Sequence, residues 1–361
     1  MSDDPTDLQV GVVGLGGMGN VHANNAEDVD ATVVAGADVV PDSRAAFAET
    51  FDAATYEDHE AMYEAEDLDA VFVTTPNKFH APAAVGALDR DVSVLCEKPL
   101  ANTLANAADI VAAAEASDGF AMVGFHNRFS TAGELFVAKR EAGYFGELSY
   151  VNANYIRRRG IPGVGSWFTN KELSGGGALI DIGVHALDFS LYLLDFPEIV
   201  EVSGVARSMY GGRPDYADPD DWAGNWETGE ATFDVDDSVT ALIRCADGQT
   251  VSLDAAWASE GETDNSVTVW GTDGGAAMAL GGGSIDLYST GRAAVDHYVD
   301  TTLEGNLDPS GHRAQDERFL RGVAAGEAPD RNTVEQAYVV QQVIDAIYRS
   351  SESGRAVSLA D

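Results

Sequence analysis

The chain has 361 residues, 45% of them hydrophobic, so it is long enough for two domains that each bury a core. Its 21 lysine and arginine residues face 60 aspartate and glutamate residues, which gives a formal net charge of -39 at pH 7. This charge excludes nucleic acid and anionic membrane surfaces as partners, because no dominant basic surface is available.

The first part of the chain alternates between strand and helix patterns. Apolar runs predict strands at 8–13, 32–37, 69–75, 92–96 and 120–125. Helix-compatible segments fill the intervals, near 19–27, 41–51, 57–65, 79–90 and 103–117. This alternation is typical of βαβ units and predicts a doubly wound parallel sheet in an N-terminal domain of residues 1–125.

The first predicted strand leads directly into Gly14-Leu15-Gly16-Gly17-Met18-Gly19, and a helix pattern follows. This order of strand, glycine turn and helix is typical of a dinucleotide-binding fingerprint. Gly14 permits the tight turn, Gly16 lets the backbone approach a pyrophosphate, and Gly19 lets the helix pack on the strand. A simple glycine turn beside a capping aspartate is the alternative.

The second predicted strand ends at Asp38, near the separation from the glycine turn at which an acidic residue accepts hydrogen bonds from an adenosine ribose. A carboxylate there repels a 2′-phosphate, so we expect NAD as the cofactor. Arg44 lies close by in the sequence, and for that reason NADP stays open as the less favoured alternative.

The fourth predicted strand is followed by Glu97-Lys98-Pro99. Ligands of open α/β sheets lie beyond the carboxyl ends of the strands, so Lys98 is a candidate for chemistry. A surface lysine on a turn is the alternative.

Beyond residue 126, consecutive strand patterns replace the alternation. They lie at about 147–157, 199–208, 228–235, 238–246, 249–257, 265–271 and 275–280. Turn signals such as Asp236-Asp237 and Asp247-Gly248 join them, which predicts a mainly antiparallel sheet in a second domain of residues 126–361. Helices near 311–325 and 333–351 close the chain. Segment 211–222 predicts a loop, read as a solvated insertion with a lid or an oligomer contact as alternatives.

A second candidate motif is Asp181-Ile182-Gly183-Val184-His185, which follows Gly175-Gly176-Gly177. Residues four apart share a helix face, so Asp181 and His185 can point into one pocket. An imidazole, with an ordinary pKa of about 6.5, suits a proton acceptor, and a carboxylate can orient a substrate hydroxyl. A helix cap and a buried structural histidine are the alternative.

Together these motifs resemble the Gfo/Idh/MocA family, named for glucose-fructose oxidoreductase, inositol dehydrogenase and a rhizopine-catabolism protein. The resemblance runs nearly end to end and is carried by the glycine turn with His22 and by residues 75–80, 97–99, 127–129 and 175–185. It implies a Rossmann domain that binds NAD(P) and a second α/β domain whose large sheet carries the substrate pocket on one side. It also implies a homodimer or homotetramer.

The resemblance implies that Lys98, Asp181 and His185 form the catalytic group. The residues expected to bind the cofactor are Gly14, Gly16, Met18, Gly19, Asp38, Thr75, Pro76, Asn77, His80, Glu97 and Lys98. Those expected to bind substrate are Lys98, Asn127, Arg128, Tyr155, Arg157, Trp167, Asp181 and His185. Residues near 155–168 are included because arginine forks bind sugar hydroxyls or carboxylates and aromatic faces stack on pyranose rings. Pairing of these arginines with surface carboxylates is the alternative.

The expected reaction is oxidation of one hydroxyl of a sugar or cyclitol, with hydride passing to the nicotinamide. In this mechanism His185 removes the hydroxyl proton, Lys98 stabilises the developing charge on oxygen, and Asp181 fixes the sugar; Lys98 and His185 could exchange roles. A redox-neutral NAD-dependent glycosidase and a non-catalytic sugar-sensing protein of the same fold are the alternatives.

The charge balance also predicts the protein's surroundings. Self-repulsion at this net charge needs screening, which molar salt supplies, and only four of the 21 basic residues are lysines, so we expect a halophile. With only Cys96 and Cys245, and neither a leader-like start nor a membrane-length apolar run, the expected location is the cytoplasm. No motif calls for a metal.

Overall fold

The computed structural model describes residues 5–211, 213, 215–220, 222, 232–306 and 311–359. The chain divides into two compact units. The first consists of Met1–Phe125 with His312–Gln341, and the second of His126–Gly311 with Gln342–Asp361. The observed division differs in one respect from the expected division into 1–125 and 126–361, since His312–Gln341 belongs to the first unit.

The first unit is built on a six-stranded parallel sheet. Its strands are β1 (Gln9–Val13), β2 (Thr32–Ala37), β3 (Ala54–Tyr56), β4 (Ala70–Val73), β5 (Ser93–Cys96) and β6 (Ala121–Val123). Five helices alternate with them: α1 (Gly17–Glu27), α2 (Pro41–Phe51), α3 (His59–Ala65), α4 (His80–Leu88) and α5 (Leu104–Ala116). The strand order is β3-β2-β1-β4-β5-β6, which confirms the predicted doubly wound sheet. It reverses between β1 and β4, where such sheets bind ligands.

The second unit carries a nine-stranded sheet with three helices from the middle of the chain. The helices are α6 (Thr131–Glu141), α7 (Lys171–Ser174) and α8 (Val184–Leu193). The strands are β7 (Leu148–Ile156), β8 (Ile199–Arg207), β9 (Ser238–Cys245), β10 (Thr250–Ala256), β11 (Ser266–Gly271), β12 (Gly274–Ala279), β13 (Ser284–Gly291), β14 (His297–Glu304) and β15 (Val357–Ser358). The last two helices of the chain, α9 (His312–Ala325) and α10 (Val334–Ser353), lie between β14 and β15 in the sequence.

The nine strands run in the order β14-β13-β12-β11-β7-β10-β9-β8-β15. All neighbouring pairs are antiparallel except β7 and β10, which confirms a mainly antiparallel sheet. Buried and more exposed positions alternate along β9, so one face of the sheet is buried. All ten residues of α8 are buried, and this helix packs against β7 and β10.

Four strands were not expected from the sequence, one of them the two-residue strand β15. The short strand β3 lies at one edge of the parallel sheet, and β13 and β14 extend the second sheet. Seven of the eight residues of β14 are exposed, so no apolar run marks that strand. In the strand predicted at 228–235, residues 228–231 lie outside the described ranges and 232–235 form no strand.

The described part of segment 211–222 contains neither helix nor strand, as expected for a loop. None of the helices in the described ranges is both long and apolar enough to cross a bilayer. Within the same ranges, no group of three or more His, Cys, Asp or Glu side chains could hold a metal ion. Cys96 and Cys245 are both buried free thiols.

Candidate active site

The glycine turn between β1 and α1 has the geometry that a bound dinucleotide needs. Gly14 has φ +93°, and a Cβ there would lie 2.8 Å from the Thr74 carbonyl carbon. A Cβ on Gly19 would lie 2.1 Å from the Gly14 carbonyl oxygen, whereas one on Gly16 would have no atom within 4 Å. Gly14 and Gly19 are thus required by the protein's own packing, and Gly16 faces open space. No side chain caps α1 at Gly16, so its first N–H groups suit a pyrophosphate.

Asp38 ties this turn to the end of β2. One carboxylate oxygen accepts the Leu15 N–H at 2.8 Å, and the other accepts the Val40 N–H at 2.8 Å. Arg44 donates to the Asp38 carbonyl oxygen at 2.6 Å. The carboxylate is therefore held at the turn, where its remaining lone pairs suit ribose hydroxyls. Met18, in the first turn of α1, is half-buried.

The segments after β4 and β5 are joined by His80, a residue that is 1% exposed. Its Nε2 lies 2.8 Å from the Thr75 carbonyl oxygen and its Nδ1 lies 2.9 Å from the Pro99 carbonyl oxygen. Burial lowers the pKa of His80. Because both ring nitrogens contact the backbone, His80 shapes the loops around Lys98. Its expected contact with the cofactor stays a prediction. Pro76 is half-buried and Asn77 is buried in the same loop.

The buried carboxylate of Glu97 is likewise bound by other groups of the protein. Its Oε1 lies 3.1 Å from His22 Nε2, and its Oε2 accepts the backbone N–H of Lys98 at 3.0 Å. His22 Nδ1 lies 2.8 Å from Asp316 Oδ2 on α9, so the imidazole bridges two carboxylates. A Cβ on Gly124 would lie 2.9 Å from Glu97 Oε1, which explains a glycine there. Glu97 thereby anchors the backbone at Lys98, and its expected contact with the cofactor stays a prediction.

This buried cluster holds opposite charges. Burial alone lowers the pKa of His22, but the charge and hydrogen bond of Asp316, with those of Glu97, outweigh it and raise the pKa to about 10. Burial alone raises the pKa of Glu97, but the hydrogen bond and charge of His22 outweigh it and lower the pKa to about 2. His22 is therefore an imidazolium between two carboxylates near neutral pH.

In the second unit, Asp181 lies in a π-helical turn, Leu179–Gly183, that leads directly into α8. One carboxylate oxygen of Asp181 accepts the indole N–H of Trp257 at 2.9 Å. Trp257 directly follows β10 and is fully buried. The sequence pattern does not mark Trp257 as a site residue, because it reads as the last apolar residue of a strand.

His185 lies in the first turn of α8 and is 8% exposed. Its Nδ1 lies 3.3 Å from the amide nitrogen of Asn127, and its ring centroid lies 6.5 Å from that of Tyr155. The ring of His126 meets it edge-on at 5.0 Å. The fold therefore gathers Asn127 and Tyr155 around His185, together with His126. His126 was not expected from the sequence, although it directly precedes residues 127–129.

Arg128 does not fit the substrate-binding role expected from the sequence. Its side chain is fully buried, and its guanidinium donates to both oxygens of Asp188, with Nε 3.0 Å from Oδ2. The guanidinium carbon lies 5.2 Å and 4.8 Å from the ring centroids of Tyr192 and Phe196. This side chain is therefore part of the core beside α8.

Arg157 and Arg159, in the arginine-rich segment, make different kinds of contact. Arg157 stacks on aromatic rings, with its guanidinium carbon 5.3 Å from the Tyr155 centroid and 5.0 Å from that of Trp222. Arg159 instead pairs with Glu260 at 2.7 Å, as the surface alternative requires. Trp167 is half-buried.

Comparison with known proteins agrees with this geometry. Residues 8–125 match the model of the oxidoreductase family with an NAD-binding Rossmann fold, Gfo/Idh/MocA. Residues 138–277 match the Gfo/Idh/MocA C-terminal domain. The chain is 30% identical to D-glucoside 3-dehydrogenase of Escherichia coli (strain K12), over 98% of this chain and 97% of that protein. It is 28% identical to D-xylose 1-dehydrogenase (NADP(+)) 2 of Haloferax volcanii, over 97% and 98% respectively.

Solved structures share the fold. A levoglucosan dehydrogenase in complex with NADH and levoglucosan matches with a TM-score of 0.85, 23% identity, and coverage of 98% of this chain and 100% of that chain. An oxidoreductase domain protein from Kribbella flavida matches with a TM-score of 0.84, 25% identity, and coverage of 99% and 100%.

The Rossmann sheet and its glycine turn define an NAD-binding oxidoreductase. The chain belongs to the Gfo/Idh/MocA family, as its motifs predicted.

We expect the His22 cluster to make stability depend on pH. Glu97 has its pKa lowered from 4.5 to about 2, so its contribution is present above pH 4.5 and is lost as pH falls toward 2. His22 has its pKa raised from 6.5 to about 10, so its contribution is present below pH 6.5 and is lost as pH rises toward 10.

Urea denaturation at constant molar KCl measures this effect. Between pH 6 and 10 the unfolding free energy of the unaltered protein should fall more steeply than that of His22→Gln. His59→Gln, at a partly exposed histidine, is the matched control and should follow the unaltered protein. Parallel curves for the unaltered protein and His22→Gln would contradict the assignment of His22 as a buried cation.

Proposed function

We propose that the protein oxidises a secondary or anomeric hydroxyl of a sugar or cyclitol in an NAD-dependent reaction. Support comes from the motifs of Lys98 and of Asp181 with His185, in a chain that matches a D-glucoside 3-dehydrogenase over 98% of its length. Other relatives are named as xylose, levoglucosan and inositol dehydrogenases, which supports a polyhydroxylated substrate.

In the proposed mechanism His185 takes the proton of the reacting hydroxyl, since a neutral imidazole is a suitable base near pH 7. Lys98 stabilises the negative charge that develops on the same oxygen. Asp181 accepts a hydrogen bond from a neighbouring hydroxyl and so orients the ring. This grouping of Lys98 with Asp181 and His185 rests on the family resemblance, and Lys98 and His185 could exchange roles as proton carriers.

The cofactor that fits the glycine turn supplies, when bound, a nicotinamide ring that accepts hydride. The residues proposed to hold it are the glycines of the turn with Met18, Asp38 at the ribose, and Thr75, Pro76, Asn77 and Lys98 nearer the nicotinamide. We propose NAD rather than NADP because the Asp38 carboxylate, held by two backbone N–H groups, would repel a 2′-phosphate.

Around the sugar, we propose Asn127, Tyr155, Arg157 and Trp167 as further binding residues. Their support is the position of Asn127 and Tyr155 beside His185 and the stacking of Arg157 on Tyr155. We also propose a cytoplasm with molar salt as the setting, since the net charge of -39 needs screening.

The first test measures initial rates of NADH and NADPH formation in molar KCl with aldoses, glycosides, anhydrosugars and inositols. We expect reduction that depends on the sugar and is faster with NAD. Reduction that is faster with NADP would contradict the role of Asp38. If no substrate reduces either cofactor while NAD still binds, the dehydrogenase proposal is wrong and a redox-neutral or sensing role replaces it.

Substitution of His185, the proposed base, or of Lys98, which is proposed to stabilise the charge on the reacting oxygen, should abolish most turnover. Lys98→Ala and His185→Ala should each lower kcat by about 10²- to 10⁴-fold, the usual contribution of a positioned acid or base. The dissociation constant for NADH, measured by fluorescence, should stay within a few-fold. Lys139→Ala and His297→Ala are matched controls outside the proposed site. Near-normal turnover in either site variant would remove that residue from the mechanism.

We further propose that the protein forms a homodimer or homotetramer. Val205, Leu242, Trp270 and Tyr288 are exposed apolar side chains on one face of the nine-stranded sheet, as the strand register requires. A sheet face with such side chains is suited to covering by another subunit.

Sedimentation equilibrium in molar KCl should therefore give at least twice the chain mass of 38.0 kDa. Trp270→Lys should shift the equilibrium toward monomer, because it places a charge in the proposed contact. Val295→Lys, at an exposed apolar residue outside the sheet strands, should not. A monomer at all concentrations would disprove the oligomer.

A further inference from the structure

Asp236 and Asp237, which read as a turn in the sequence, are buried. The Asp236 carboxylate accepts the backbone N–H groups of Gly177 at 2.8 Å and Leu179 at 2.9 Å, and the hydroxyl of Tyr348 at 2.8 Å. Its carbonyl oxygen accepts the N–H of Ala178 at 2.9 Å. Three successive N–H groups at the start of the helical segment that carries Asp181 are thus bound by one residue.

The glycines before this segment make that contact possible. A Cβ on Gly177 would lie 1.8 Å from the Asp236 carbonyl oxygen, and one on Gly176 would lie 2.0 Å from the Tyr348 hydroxyl. The glycine pair is therefore required by the close approach of Asp236 and Tyr348. The backbone entering the π-helical turn of Asp181 is held by contacts that leave no room for a side chain.

Trp257 is anchored to the neighbouring residue. Its backbone N–H donates to the Asp237 carbonyl oxygen at 2.9 Å. Its side chain is fully buried in an apolar cluster that includes Ile161, Ala178 and Ile182. The pair Asp236-Asp237 therefore fixes both the turn that carries Asp181 and the tryptophan that contacts it.

The contact between Trp257 and Asp181 has one possible direction. An indole N–H can only donate, and Oδ2 of Asp181 accepts it at 2.9 Å. Asp181 itself is only partly buried, unlike the tryptophan. A buried donor on one oxygen stops the carboxylate from rotating and leaves Oδ1 in a defined direction. Hydrogen bonds to a charged acceptor are among the stronger ones in proteins.

We propose that Trp257 is a positioning residue for Asp181. By fixing Oδ2 it directs Oδ1 toward the substrate hydroxyl next to the reacting carbon, and Asp236-Asp237 hold the two partners in place. The proposal rests on the proposed function for its substrate, whereas the contact itself can be measured without turnover.

The kinetic test is Trp257→Phe, which keeps an aromatic ring and removes the indole donor. We expect KM for the sugar to rise by about 10- to 100-fold, the effect of losing a hydrogen bond to a charged group, with KM for NAD unchanged. Tyr338→Phe removes a donor from a half-buried aromatic residue on α10 that lies in neither the proposed site nor the proposed subunit contact, and it should have no effect. Unchanged sugar kinetics in Trp257→Phe would overturn the proposal.

To distinguish a purely structural role of Trp257, the Trp257→Phe substitution is repeated in the Asp181→Ala variant. If Trp257 acts through Asp181, Trp257→Phe should change the sugar kinetics of Asp181→Ala less than about 2-fold. An equal loss in both backgrounds would show that Trp257 acts otherwise. If Asp181→Ala alone leaves sugar kinetics unchanged, the proposed function of Asp181 is wrong.

The contact is tested separately by ¹⁵N spectra of the tryptophan indoles. In Asp181→Ala, the indole N–H resonance of Trp257 should shift while the other indole resonances stay in place. This measurement needs no activity and no stable Trp257 variant. An unmoved resonance would overturn the proposal even if the kinetics agreed.

Discussion

Buried carboxylates must be paired with donors or cations, since an unpaired charge inside a protein is strongly destabilising. In the first unit Glu97 and Asp316 share the His22 imidazolium. In the second unit Asp188 pairs with Arg128, and Asp236 accepts two backbone N–H groups and a tyrosine hydroxyl. Two of these carboxylates hold backbone beside a proposed catalytic residue: Glu97 at Lys98, and Asp236 at the start of the turn that carries Asp181.

These pairings place the proposed chemistry on rigid backbone. Glu97 holds the N–H of Lys98, and His80 contacts the Pro99 carbonyl oxygen on the other side. Asp236 holds the turn that contains Asp181, and α8, which carries His185, is buried along its whole length. A reacting group that is held in this way loses little further freedom when substrate binds, which favours catalysis.

The repulsion that the acidic composition causes acts at the surface, whereas the buried pairs involve only a few of the acidic residues. The chain has 60 acidic residues, and among the residues that the structure describes, many ion pairs involve arginines at exposed positions, such as Arg321 with Glu317. Exposed pairs of this kind contribute little and are screened by salt. Molar salt would therefore relieve the surface repulsion and leave the buried pairs nearly intact.

The sequence by itself determined the Rossmann strands, the glycine turn and the family, because those signals are local: apolar runs, and glycines at positions where a Cβ would clash. Tertiary structure alone decided the partners of buried polar groups. His22 meets Asp316, 294 residues away, and Asp181 meets Trp257, 76 residues away. The same reason explains why Arg128 is structural and why Asp236-Asp237 is no turn. Charged residues read as exposed from sequence, and only the packing of distant segments shows which are buried with a partner.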